Sequence, residues 1–258
     1  MELKFFANIK RVEKAVAIEK LVKDSSPSQQ FFFMVLLSVL MATFGVLQNN
    51  VATIIGSMMI APVLYPVLGI AMGLIMSDSS LLSRSLVTVF KSFLLAVGTS
   101  LIASILFSSF PADIHISTDF IKPSLISVAV AIVAGLAASL SLVKKEMSET
   151  LPGVAISVSL VPPLAVIGVG LSGGSFEIVT SAFLLFVINV LGIIFASMLT
   201  FSLMNFYVER RAVHNEIIKD DRELEHEKII ERENNDFLGE GRLAPLPRKD
   251  LYLLFFLI

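Results

Sequence analysis

A chain of 258 residues that is 55% hydrophobic and only 16% charged, with a mean hydropathy of +0.83, lies outside the range of soluble globular proteins and reads as an all-α integral membrane protein. Its net charge of −2 offers no electrostatic basis for a nucleic-acid partner. The absence of Cys removes disulfides, thiolate metal sites and cysteine nucleophiles.

The charges are concentrated at the two ends. Residues 1–29 scatter Lys4, Lys10, Arg11, Lys14, Lys20 and Lys23 among Phe5, Phe6, Ile9, Val12, Val16 and Leu21. This suits a cytoplasmic amphipathic segment on an anionic inner leaflet and lacks the compact basic start and apolar core of a cleavable signal peptide. Residues 30–204 follow as one transmembrane domain. A hydrocarbon core about 30 Å thick needs roughly 20 apolar residues per helix, and the apolar stretches divide into six spans near 30–48, 51–76, 86–110, 122–143, 150–172 and 177–204. The first division rests on Gln48-Asn49-Asn50, a polar knot suited to a tight hairpin.

With both termini cytoplasmic, nineteen of the twenty Lys and Arg fall on the inner side and only Lys122 outside, as the positive-inside rule requires. The expected location is therefore the inner cell membrane. Lys91 lies shallow enough in the third span to snorkel to the headgroups.

The second and fifth spans resemble each other at an offset of 100 residues. In "ATIIGSMMIAPVLYPVLG" and "PGVAISVSLVPPLAVIG", Ser57 falls on Ser157, Pro62 on Pro162 and Leu64 on Leu164, and a one-residue shift brings Gly69 onto Gly168. Three spans per copy is an odd number, so the second copy enters the membrane from the opposite side. The expected fold is an inverted 3+3 repeat with proline-broken spans two and five. Such repeats place interrupted helices around a substrate site near the midplane. Pro62, Pro66, Pro162 and Pro163 each remove a backbone donor and free a carbonyl one turn earlier, which must face protein or a wet cavity. Gly56, Ser57, Ser157, Ser159 and, in span six, Asn189 are the accompanying candidates for binding.

No Asp, Glu or His lies deep in a span, which argues against a carboxylate proton relay. Neither a catalytic site, a metal site nor a cofactor is expected, and the chain does not read as an enzyme. Asp113, His115 and Asp119 in one outer loop read as ordinary solvated residues. Small residues every fourth position, such as Ala96, Ser100 and Ser104, suit close helix packing. Residues 205–258 read as a charged cytoplasmic helix and tail, with charges of both signs up to about residue 234 periodic enough for a helix extending span six, then "LGEGRLAPLPR" and a short apolar end.

The segments "IIGSMMIAPVLYPVLGIAMGL", "AVAIVAGLAASLSL", "PGVAISVSLVPPLAVIGVGL" and "INVLGI" resemble the membrane family named domain of unknown function 389. The positions that match its pattern are Gly56, Pro62, Pro66, Gly135, Gly153, Pro162, Pro163 and Asn189. The resemblance implies a polytopic helical fold, and in many relatives a larger soluble domain before the first span, where this chain has about 29 residues. It implies no substrate. The functional expectation is a transporter or channel-like protein for a small solute or ion, with the lipid bilayer as its other partner and homo-oligomer formation left open. The alternative is a non-transporting scaffold or sensor acting through the tail.

Overall fold

A computed structural model describes residues 9, 11–107, 123–144, 147, 160–206, 215–223 and 225. Among them there are helices and turns but no strands. The helices are α1 (Arg11–Asp24), α2 (Gln29–Leu47), α3 (Val51–Ile60), α4 (Leu64–Met76), α5 (Ser79–Phe107), α6 (Leu125–Val143), α7 (Val161–Ser172) and α8 (Phe176–Leu203). All belong to one compact unit, Met1–Glu216; the second unit, Ile217–Ile258, is described only at 217–223 and 225, which are helical.

Local chemistry sets most of the boundaries. The Ser28 hydroxyl accepts from Phe31 N at 3.1 Å and starts α2. The polar knot is the hairpin its composition predicts: Asn49 turns left-handed at φ 51°, and the Asn50 side chain caps α3 by accepting from Thr53 N at 3.2 Å. Such caps contribute about 1 kcal/mol each. Helix α3 stops because Ala61, preceding Pro62, is extended at φ −76°, ψ 121°. Helix α4 ends on left-handed Ser77, and Asp78 Oδ1 then caps α5 by accepting from Leu81 N at 2.9 Å. Helix α5 thus begins seven residues earlier than hydropathy alone suggests, because a buried capped carboxylate suits a helix N-terminus.

Among the described residues four helices, α2, α5, α6 and α8, are long and apolar enough to cross a membrane. The pair α3–α4, bent by 53° at its break, makes a fifth if it counts as one span. Large apolar side chains point outward, among them Phe90, Leu94, Leu106, Phe183, Leu191 and Phe195, while Ser, Thr, Ala and Gly fill the helix contacts. In water such a surface is a liability; against hydrocarbon, close approach of small residues is what holds helices together.

The most enclosed of the described helices are α4, which follows the break at Ala61–Val63, and α7. Helix α4 buries Leu64, Pro66–Gly73 and Met76, and α7 buries Val161 and Pro163–Gly170. Helices α5 and α8 each pack on both of them. Exchanging α4 with α7 and α5 with α8 therefore maps the packed pairs α4–α5 and α4–α8 onto α7–α8 and α7–α5. Helix α1 packs on α4 and α6, burying Ala17, Ile18, Leu21 and Val22 in the bundle while Val12 and Val16 stay exposed. Much of its apolar face is thus spent on protein. Lys14 Nζ ties it to the end of α8, donating to the Asn205 carbonyl at 3.0 Å and lying 5.4 Å from the centre of the Phe206 ring.

Candidate functional site

The first break shows where the expected free carbonyls go. Pro66 has no N–H to offer the carbonyl of Pro62, and Tyr65 N–H takes it instead at 3.3 Å, in a tight turn. The last turn of α3 exposes the Ser57 carbonyl to α2, where the Ser38 hydroxyl donates to it at 2.7 Å. The Ser57 hydroxyl turns back to the Ile54 carbonyl at 2.6 Å. Both serines are fully buried. Pro62 and Gly56 are half-buried and Pro66 is buried.

In the second half, Pro162 and Pro163 lie in the first turn of α7, which has no side-chain cap. Pro66 occupies the first turn of α4, also without a side-chain cap. The first N–H groups of a helix have no partner within it, so proline there discards a donor that would otherwise be orphaned. Three of the four prolines thus act as helix starters in an apolar setting. The half-helix N-termini have correspondingly fewer N–H groups with which to hold an anion. Ser157 and Ser159 lie outside the described residues, as do Asp113, His115 and Asp119.

The first break and α7 are joined by hydroxyls that the search for proline breaks does not point to. On α2, Thr43 Oγ1 lies 2.7 Å from the Val39 carbonyl and 2.9 Å from Ser100 Oγ on α5, and the Ser100 hydroxyl donates to the Ala165 carbonyl on α7 at 2.7 Å. Further along the same two helices, Ser104 Oγ and Ser172 Oγ share a hydrogen bond of 2.5 Å. Helix α2 therefore bonds to the end of α3 through Ser38 and reaches α7 through Thr43 and Ser100, and α3 itself touches α7. Gly168 makes the approach of α7 to α5 feasible, since a Cβ there would stand 2.7 Å from Leu101 N and against Ser100. The clue was present: between Phe31 and Leu47, Ser38 and Thr43 are the only hydroxyls. Ser100 belongs to the small-residue stripe that reads as scaffold, and it does both jobs.

Asn189 is buried on α8, which packs on both α4 and α7. Lys91 is exposed on α5. The centre consists of hydroxyls and carbonyls without a buried charged side chain among Ser38, Thr43, Ser57, Ser100, Ser104 and Ala165. Among the described residues, no three His, Cys, Asp or Glu come together as a metal site. Such a centre can exchange hydrogen bonds with a neutral solute or surround a cation with oxygen.

The helices define a membrane-associated, all-helical protein with polar groups on the inside of an apolar bundle. The model of the family described as domain of unknown function (DUF389) matches residues 58–195, which include both proline regions and Asn189, and the chain belongs to that family. It is 34% identical over 179 residues to Uncharacterized protein MJ0678 of Methanocaldococcus jannaschii, an alignment covering 68% of this chain and 54% of the relative. The chain thus spans about half the length of that curated relative. No solved structure matches.

Proposed function

We propose that this chain is a transporter or channel-like protein for a small neutral solute or an ion that oxygen atoms can surround. Its site lies where α2 and α5 bond to the two broken regions. The reading includes six spans arranged as an inverted 3+3 repeat, with α3–α4 as span two and α7 as the second part of span five. The observation that carries it is the exchange symmetry of the packing: α4 and α7, each with proline in its first turn, occupy equivalent places between α5 and α8. Inverted repeats produce this relation, and interrupted helices at equivalent positions are where their substrates bind. Helix α7, at 12 residues, is about 18 Å long, so a complete fifth span requires residues before Val161, where the sequence stays apolar from Leu151.

The test is flux into proteoliposomes from a panel of neutral solutes and monovalent ions. Wild type should move at least one of them, and Ser38→Ala/Ser100→Ala, like Pro62→Ala/Pro162→Ala, should lower the rate with the protein still inserted. No flux across the panel, or full flux in both double variants, sinks the proposal.

A further inference from the structure

Among the described residues two buried hydroxyls outside the central site find no hydrogen-bond partner: Ser25 Oγ, in the turn after α1, and Ser85 Oγ, on α5. Both converge on Gly69 of α4, where a Cβ would stand 2.9 Å from Ser25 Oγ and closer still to Ser85 Oγ. Neither oxygen touches space that a water could fill, so the seam between the α1–α2 turn, α4 and α5 is closed and dry in this arrangement. A seam that stays closed is better lined with methyl groups, because a hydroxyl stripped of water and given no partner only destabilises it. Here, in addition, the same face of α5 buries Thr88 and Ser92.

The bonds that hold the seam are of a kind water replaces readily. Arg84 Nη2 donates to Ser26 Oγ at 2.7 Å, and Thr88 Oγ1 lies 2.9 Å from the Arg84 carbonyl of its own helix and 3.1 Å from the Ser25 carbonyl. They tie α5 to the turn after α1, not to the bundle core.

We propose that the seam at Ser25, Gly69 and Ser85 is a gate: the turn after α1 parts from α4 and α5, water enters, and the two hydroxyls gain the partners they lack when closed. The gate rests on the transport reading, since a gate needs a route to close, but it is tested without measuring flux. The chain has no cysteine, so Ser25→Cys and Ser85→Cys each supply a single thiol. Ser197→Cys serves as the control, because Ser197 is fully buried and donates to the Gly135 carbonyl between α8 and α6 at 3.2 Å. In membranes made accessible from both faces, a membrane-impermeant thiol reagent should modify the first two about tenfold or more faster than the third, since modification tracks the open population. Arg84→Gln, which removes one tie without adding volume, should raise the Ser85→Cys rate further. If Ser25→Cys and Ser85→Cys react no faster than Ser197→Cys and Arg84→Gln changes nothing, the gate is overturned. Fast modification in a protein that moves no solute would retain the gate and remove the transport reading.

Discussion

Gly168 and Gly98, two glycines within long helical stretches, carry opposite expectations. A methyl group at Gly168 meets Leu101 N at 2.7 Å and forces α7 from α5. Gly168→Ala should therefore cost about 1–3 kcal/mol, read as a lower unfolding temperature in detergent. Nothing lies within 4 Å of a Cβ at Gly98, so Gly98→Ala should leave that temperature unchanged or raise it, by the roughly 0.4–1 kcal/mol that a compatible Gly→Ala contributes. Asp24, half-buried at the end of α1, has its carboxyl pKa raised from 3.8 by burial, against the opposing charges of Lys20 and Lys23. A raised folded-state value means the folded protein binds the proton more tightly, so stability falls as pH rises through that window. Asp24→Asn should accordingly be the more stable protein at neutral pH, with the difference closing as pH falls to about 3.8; thermal unfolding at several pH values checks it. The match of Gly69 to Gly168 was legible in sequence. Their partners were not: Ser100 lies in a different helix, and nothing local announces it.

At the scale of elements, Pro62 did mark a real interruption, at Ala61–Val63, while Pro162 and Pro163 lie in the first turn of α7 and residues 151–159 fall outside the described ones. The chemistry of the prolines differs from what spacing suggests, because a proline inside an apolar run is ambiguous between ending one helix and starting the next. Only the observed turn, with Tyr65 N–H on the Pro62 carbonyl, settles that Pro66 belongs to a helix start. Ser100→Ala removes both the donor to Ala165 and the neighbour of Thr43. Interhelical hydroxyls in membranes contribute about 0.6–1.7 kcal/mol, so this variant should unfold measurably earlier. Thr180→Val, losing only an exposed bond to its own helix at Phe176, should not.

For the molecule as a whole, the six-span reading predicts which turns share a face of the membrane. Single thiols at Asn49, Ser124 and Gly174 should be modified by an impermeant reagent from one side, and those at Ser77 and Lys144 from the other. If Asn49→Cys and Ser77→Cys react from the same side, α3–α4 enters and leaves by one face and the chain has no second span. The Lys14 bond to Asn205 joins α1 to the turn after α8; Lys14→Met should loosen it and speed proteolysis near residues 25–28.

Residue order alone was enough for the membrane class, the family, the helix limits set by Ser28, Asn50 and Pro62, and the break at Pro62, because hydropathy and capping act within a turn or two of chain. Tertiary structure alone decided what the breaks are joined to. Ser38 reaches Ser57 across 19 residues and Ser100 reaches Ala165 across 65, contacts that follow from which helices lie side by side. In an apolar bundle a serine looks the same in sequence whether it bonds its own helix, a neighbour or, like Ser25 and Ser85, nothing at all.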